Sequence, residues 1–226
     1  MTAMITVEES APLRRARRPK GEATRRRILE ATLAVIARAG VHGVTHRAVA
    51  AEAGVQLSLT TYFFRSLNDM IEQAYEHFIS GDRPDRDAAW ARLDAVLDRH
   101  GPAELLDPAV RRSLVPELAA ITTELILDQV QRDSVGLGVE ATVAYGYRLN
   151  EGLRHLVQRQ RERNLARFAD LWRRFGAADP ELEAELTLAL LQRLEFECAA
   201  KHEAPSRERI FSQLARLLAA QLGIPA

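Results

Sequence analysis

Hydrogen-bonding and basic side chains gather in one stretch of the chain, from Thr45 to Phe64, THRAVAAEAGVQLSLTTYFF. The second half of the stretch is rich in hydroxyl and amide groups, and Arg47 and Arg65 frame that half on either side. Hydroxyl and amide groups can hydrogen-bond to base edges and to phosphates, and arginine suits phosphate. The stretch therefore combines the side chains that a DNA-binding surface needs.

Local signals predict how this stretch folds. Thr45 is a favourable helix N-cap, and Val49 and Ala53 repeat at the spacing of one helix face. Gly54 can end that helix in a left-handed conformation, and a second short helix is expected to cover about residues 57–64. This pattern is typical of a helix-turn-helix, whose second helix enters the DNA major groove. On the Ala-x-x-x-Gly-Val pattern alone, an ordinary helical hairpin in an all-α core remains open.

Sequence patterns on either side of residues 45–64 predict two further helices that would pack against the helix-turn-helix. A first helix is expected over about residues 24–39, with an apolar face and three arginines, 25–27, in its first turn. The helix dipole disfavours cations there, so an external phosphate would relieve the clash. Ser66 and Asp69 match a capping box, which predicts a fourth helix running to about Ile79.

Length and composition limit the kinds of protein that the chain can be. The 226 residues suffice for one large or two small domains, and no apolar run is long enough to span a bilayer. The amino terminus shows no apolar segment typical of a secretory signal. Cys198 is the single cysteine, which excludes an internal disulfide framework and favours a reducing cytoplasm. Its neighbours suggest a small core residue rather than a redox sensor.

Charge is distributed unevenly along the chain. Residues 1–66 carry eleven Arg and Lys against five Asp and Glu, whereas the remainder carries twenty against twenty-six. A basic first third suggests a polyanion-binding end. Residues 1–21 hold five of these basic residues and no apolar periodicity. They are expected to form a flexible basic arm that touches DNA, or merely a disordered terminus, and both interpretations remain open.

Residues 24–79 resemble the DNA-binding domain of the tetracycline-repressor (TetR) family of bacterial regulators. The resemblance is carried by Ile28-Leu29, Gly40, Gly43, Thr45, Val49-Ala50, Ala53-Gly54-Val55 and Tyr62-Phe63-Phe64-x-Ser66. Departures occur at Ser58, Thr60 and Thr61, where the family usually has glycine, leucine and an aromatic residue. A usual lysine is also replaced by Leu67, and Arg65 is the expected substitute for its phosphate contact.

The motif and the resemblance together give a set of expected DNA contacts. These are Arg26, Thr45, Arg47, Gln56, Leu57, Ser58, Leu59, Thr61, Tyr62, Phe63 and Arg65.

The predicted fold is all-α, with an N-terminal three-helix helix-turn-helix domain and a C-terminal helical ligand-binding and dimerisation domain. The expected divisions are a basic arm at 1–21, a DNA-binding domain at 22–66 with its motif at 45–64, and a regulatory domain at 67–226. Further helices are expected near 85–101, 116–132, 151–175, 180–201 and 206–222. Residues 134–149 contain three glycines and are interpreted as either a loop or a broken helix.

The last two helices carry wider apolar coverage than one packing face needs, so a two-fold dimer is expected to bury the excess. In the resembled family these helices form a four-helix dimer bundle. The expected interface residues are Leu186, Leu190, Leu194, Ile210, Leu214 and Leu217. Candidate residues for a ligand pocket are Trp90, Tyr145, Tyr147, Phe168 and Trp172, although aromatic residues at helical spacing are more often core.

These features favour a homodimeric repressor that a small-molecule ligand releases from a palindromic DNA operator. An effector-independent DNA-binding or architectural protein is the alternative. A helical enzyme is disfavoured, since the sequence shows no Gly-rich phosphate loop, H-E-x-x-H, Cys-x-x-Cys or nucleophile elbow. His42 and His46 lie four apart, but Gly43 and a helix start intervene, so a metal site is not expected. No catalytic residue and no cofactor are expected.

Overall fold

The computed structural model describes residues 19–81, 84–144, 146, 149–200 and 206–224. These residues form ten α-helices and no β-strand, which confirms the all-α prediction. The helices are α1 Pro19–Ala39, α2 His46–Ala53, α3 Leu57–Phe63, α4 Leu67–Ser80, α5 Pro84–Leu97, α6 Pro108–Arg132, α7 Ser134–Ala144, α8 Glu151–Arg174, α9 Pro180–Ala200 and α10 Arg207–Gln221. None of the described helices is long and apolar enough to cross a membrane.

Helices α2 and α3 form the helix-turn-helix through the local signals in their sequence. The Thr45 side chain accepts a hydrogen bond from the Ala48 backbone N–H at 3.0 Å, as an N-cap does. Gly54 ends α2 with φ 60° and ψ 41°, the left-handed conformation that favours glycine. Ser66 caps α4 in the same way as Thr45 caps α2, with its side chain accepting from the Asp69 N–H.

Helix α1 begins at Pro19, five residues earlier than the sequence pattern indicated. The arginines at 25–27 therefore lie beyond the first turn, and the predicted clash with the helix dipole is wrong, because that effect fades within one turn. Residues 19–21, assigned to the basic arm, are part of α1. The rest of the predicted arm, residues 1–18, lies outside the described residues.

Helix α6 begins at Pro108, so the expected start at Pro116 is wrong. Asp107 accepts from the Ala109 N–H at 2.7 Å, and Asp107-Pro108 supplies an N-cap followed by proline at the first helical position. Pro116 lies inside α6 at an exposed position, where its lack of an N–H leaves one backbone carbonyl to solvent. A proline therefore marked an interior position here rather than a helix start.

Residues 134–149, for which the sequence indicates either a loop or a broken helix, begin with the helix α7, Ser134–Ala144, and Gly146 lies beyond its end. The Gly136 N–H donates to Asp133 Oδ1 at 2.8 Å, which satisfies a donor in the first turn of α7. Gly138 lies against α1, where an added Cβ would stand only 2.9 Å from the Ala37 Cβ. Gly136 and Gly138 therefore serve a helix start and a close helix contact rather than a loop, whereas Gly146 lies in non-helical backbone after α7.

Two groups of helices bury separate cores. Helices α1–α4 share a core with parts of α7 and α8, whose contributions include Val139, Val143 and Leu153. A second core joins α5, α6, α8, α9 and α10 around the fully buried Trp172 and Phe175. Helix α8 contributes to both cores and thus joins the two groups of helices.

Three of the six residues predicted for the dimer interface are buried within their own chain. Leu194, Ile210 and Leu214 pack with Ala119 and Ile126 of α6 in a third cluster. Because α6 already covers them, they belong to the core and do not present area to a partner. Of the six predicted interface residues, only the better exposed Leu186, Leu190 and Leu217 remain candidates for contact with a partner.

We predict that Gly54→Ala lowers the free energy of unfolding by about 1–2 kcal/mol, the cost of placing an L-residue in a left-handed conformation. Gly21→Ala is the matched control, since Gly21 lies in α1 and an added Cβ meets no atom within 4 Å. That control should raise the free energy of unfolding by about 0.5 kcal/mol, through the better helix propensity of alanine. Chemical denaturation measures both changes, and equal effects of the two substitutions would refute this explanation of Gly54.

Candidate DNA-binding surface and ligand cavity

The outer face of α3 is exposed and chemically mixed. Tyr62 is 79% exposed and Leu57 is 50% exposed, and both are large side chains that globular proteins usually cover. Ser58 and Thr61 lie on the same outer face, and Gln56 precedes it. This face therefore offers hydroxyl, amide, phenol and aliphatic groups to a partner.

Two of the expected DNA contacts point the other way. Leu59 and Phe63 are half-buried and pack against the core formed by α1 and α4. They share that inward face of α3 with the buried Thr60 because residues three and four apart lie on one side of a helix. Leu59 and Phe63 therefore help to anchor α3 to the core, and a DNA contact from either residue stays a prediction.

Thr60 links α3 to α2 by one hydrogen bond, with His46, that sequence reasoning missed. Its hydroxyl donates to the Leu57 backbone oxygen at 2.8 Å and lies 3.0 Å from His46 Nδ1. A hydroxyl has a single proton, so His46 Nδ1–H is the donor in the second bond. Thr60 is fully buried, and the resembled family usually has leucine there, so this chain replaces an apolar contact with a polar one.

Arginines of α1 also position the motif. The Arg27 guanidinium donates to the backbone oxygens of Ala53, at 3.1 Å, and Gly54, at 3.4 Å, at the end of α2. Arg25 donates to the Gln73 side chain of α4, and its guanidinium lies 5.7 Å from the centre of the Phe64 ring. These contacts are not visible in sequence spacing, since each joins residues more than twenty positions apart.

The remaining expected phosphate contacts are exposed at the edge of this surface. Arg26, Arg47, Thr45 and Arg65 are all accessible to solvent. Arg26 pairs with Glu30 at 3.7 Å, an exposed pair of the weak kind. The Thr45 hydroxyl oxygen is occupied by the N-cap bond, but its proton remains available to a phosphate oxygen.

A cavity of about 370 Å³ lies among helices α4 to α10, with Glu140 as the lining residue from α7. Trp90, Phe168 and Trp172, three of the predicted pocket residues, line it. The rings of Trp90 and Phe168 lie 4.9 Å apart, and the Trp172 Nε1–H donates to Thr187 Oγ1 at 3.0 Å. The other two predicted pocket residues, Tyr145 and Tyr147, lie outside the described residues.

The cavity wall also holds a network of charged groups that the sequence did not reveal. Arg86 of α5 lies 3.2 Å from Glu140 Oε1 of α7. The Gln129 amide satisfies its neighbours when its oxygen faces Arg86. In that orientation the oxygen accepts from the Arg86 guanidinium at 3.2 Å, and the amide nitrogen donates to Glu195 Oε1 at 2.7 Å. Burial lowers the pKa of Arg86, but Glu140 and Glu195 raise it by a larger amount. Arg86 is therefore a charged group shielded from solvent and held by acidic neighbours.

Within the described residues, no group of three or more His, Cys, Asp or Glu side chains is placed to hold a metal ion. The surface of α3 and the cavity are thus the two features whose chemistry suits a partner.

The family model described as bacterial regulatory proteins of the tetR family matches residues 28–74, which cover α2, α3 and most of α1 and α4. This segment of the chain belongs to the TetR family. Regulators of this family are DNA-binding transcription factors rather than enzymes. No curated protein sequence matches the chain.

Solved structures share the fold along nearly the whole length. A protein from Saccharomonospora viridis, solved in complex with choline, has 22% identity and a TM-score of 0.62 over 87% of this chain and 96% of its own. A TetR-family member from Streptomyces coelicolor has 24% identity and a TM-score of 0.53 over 90% and 99%. The multidrug binding protein EbrR, solved with imidazole, has 25% identity and a TM-score of 0.51 over 89% and 95%.

We predict that Thr60→Val lowers the free energy of unfolding by about 1–3 kcal/mol, because His46 Nδ1–H then loses its acceptor inside the protein. Thr61→Val is the matched control on the exposed side of α3, where the change should stay within about 0.5 kcal/mol. Thermal or urea unfolding of the two variants distinguishes them. A Thr60→Val protein as stable as the Thr61→Val protein would show that the His46–Thr60 bond contributes nothing.

Proposed function

We propose that this regulator is a homodimeric repressor that binds a palindromic operator and is released from it by a small-molecule ligand. The observation that carries the DNA-binding part is the exposed outer face of α3, with Tyr62 and Leu57 presented at the surface of a helix-turn-helix. Apolar and aromatic side chains grouped with hydroxyl groups on one exposed helix face suit an interaction site.

The chemistry of the α3 face suits the DNA major groove. Ser58 and Thr61 can exchange hydrogen bonds with base edges, and Leu57 can touch a thymine methyl group. Thr45, Arg47 and Arg65 stand at the edge of the surface and would hold the phosphate backbone, which fixes register without reading sequence.

Dimerisation is supported by an apolar row on α9. Leu182 and Leu186 are 48% and 46% exposed and lie one turn apart, with Leu190 one turn further along. A two-fold pairing of α9 and α10 would bury this row against its copy. It would also set two copies of α3 about one DNA turn apart, roughly 34 Å, so that the dimer reads a palindrome.

Ligand control is supported by the cavity in the carboxyl-terminal core. Its volume and its mixture of aromatic walls with a few polar groups are those of small-molecule sites. The Saccharomonospora viridis and EbrR structures were solved with small molecules, choline and imidazole, in proteins of the same fold. The dimer must then have two conformations, one whose α3 spacing matches the operator and one whose spacing does not. A ligand lowers DNA affinity only if it binds the second conformation more tightly than the first. A shift of α4, which lines the cavity at Phe78 and Ile79, would change that spacing.

The test is selection of DNA from a random double-stranded library by the purified full chain. The proposal expects enrichment of a palindrome bound by two chains, followed by release when a small molecule fills the cavity. A palindrome that no molecule from a broad chemical library releases would favour the effector-independent alternative. Failure to enrich any sequence would contradict the repressor proposal itself.

We predict that Arg47→Ala weakens binding about equally for operator and unrelated DNA, and reduces the slope of log affinity against log salt by about one unit. The reason is that one phosphate contact is lost while the base-reading face stays intact. Arg112→Ala on α6, also exposed, is the control and should leave both quantities unchanged. Fluorescence anisotropy at several salt concentrations measures them, and an unchanged slope for Arg47→Ala would remove Arg47 from the DNA surface.

We predict that Leu186→Glu yields monomers with weak operator binding, because two carboxylates would face each other across the two-fold axis. Leu106→Glu is the matched control, since Leu106 is also about half exposed, at 51%, but lies outside the last two helices. Analytical ultracentrifugation gives the oligomeric state of both variants. Dimers of Leu186→Glu with full operator affinity would place the interface elsewhere.

A further inference from the structure

Helix α7 lies between the cavity and the DNA-binding domain and contacts both. Glu140 lines the cavity, and Gly138 lies against α1. Residues two apart in an α-helix point in nearly opposite directions, because each residue turns the helix by about 100°. One short helix therefore has the cavity on one side and the DNA-binding domain on the other.

On the cavity side, an ion pair fixes the position of α7. Arg86 Nη2 donates to both carboxylate oxygens of Glu140, at 3.2 Å and 3.4 Å, so one guanidinium nitrogen is shared between the two oxygens. Only 22% of each side chain is exposed, and shielding from water strengthens an ion pair relative to an open surface pair. Gln129 and Glu195 extend the network, which thus joins α5, α6, α7 and α9.

On the domain side, α7 meets α1 without an intervening side chain. A Cβ added to Gly138 would stand 2.9 Å from the Cβ of Ala37 and 3.3 Å from its Cα. Val139 and Val143 of α7 are buried in the core of the DNA-binding domain. Since no flexible side chain separates the two backbones, a displacement of α7 displaces α1 as well.

Helix α1 continues this connection to the helix-turn-helix. Arg27 lies ten residues before Ala37, about 15 Å along one uninterrupted helix. Its guanidinium donates to the Ala53 and Gly54 carbonyls at the turn that precedes α3. A movement of α1 therefore reaches the turn that sets the orientation of α3.

We propose that an occupant of the cavity regulates DNA binding by separating Arg86 from Glu140, which lets α7 shift and carries α1 and the helix-turn-helix turn with it. The inference rests on the proposed function and names its regulation. The occupant must bear a charged group beside its apolar body, since only an anion competes for Arg86 and only a cation competes for Glu140. A neutral apolar molecule can fill the cavity but leaves the pair intact.

The ion pair can be broken without any ligand. Glu140→Gln keeps the size of the side chain and removes its charge, so this variant should mimic the occupied state and weaken binding to the selected operator about tenfold. Glu117→Gln is the matched control, because Glu117 of α6 pairs with Arg99 at 2.5 Å on the open surface and does not touch α7. That control should bind the operator as the wild type does.

The helix contact is tested separately. Gly138→Ala should also weaken operator binding about tenfold, since the new methyl group forces α7 and α1 apart. Adding Ala37→Gly removes the methyl group it meets, and the double variant should recover to within about threefold of the wild type. The double variant Glu140→Gln/Gly138→Ala should have the operator affinity of whichever single variant binds more weakly. The two losses should not add, because both substitutions cause the same displacement of α7.

Operator affinity is measured by anisotropy, with a thermal midpoint for every variant to confirm folding. Wild-type affinity of both folded Glu140→Gln and folded Gly138→Ala would overturn the inference, and so would a tenfold loss in Glu117→Gln. If Gly138→Ala fails to fold, the operator affinities of Glu140→Gln and its control Glu117→Gln are sufficient to test the inference. A wild-type protein that selects no DNA would instead contradict the proposed function, before any variant is compared.

Discussion

The burial of α1 is the constraint on which the rest of the structure depends. Ile28 and Ile36 of this helix are fully buried, and α2, α4 and α7 all pack against it. Helix α1 therefore supports the helix-turn-helix on one side and contacts α7 on the other. A residue of α1 cannot move without affecting α2 and α3 on one side or α7 on the other. The proposed coupling of cavity and DNA surface follows from this shared helix, since dense packing transmits small displacements.

The helix-turn-helix could be predicted from sequence because its signals are local. The N-cap at Thr45 and the left-handed residue at Gly54 lie within ten residues of each other and act on backbone groups beside them. The inward turn of Leu59 and Phe63 was missed because the choice of buried face depends on α1 and α4, which are distant in sequence. The network around Arg86 was missed for the same reason, since its members come from four helices.

Proline and glycine were the least reliable guides. Pro116 suggested a helix start, yet the stronger signal was Asp107-Pro108, whose carboxylate caps the helix. The glycines of α7 suggested a loop, yet Gly138 is where the helix approaches Ala37 too closely for a side chain. In both cases the residue type restricts the local backbone, while the packing of neighbouring helices decides which of its permitted roles it takes.

In the proposed function, two copies of α3 act together on DNA. The most direct measurement is a hydroxyl-radical footprint of the full chain on its selected operator, with the mass of the complex determined in parallel. We expect two protected segments on one face of the duplex, about one helical turn apart, and two chains per DNA. A single protected segment bound by one chain, or uniform protection that disappears with added salt, would contradict it.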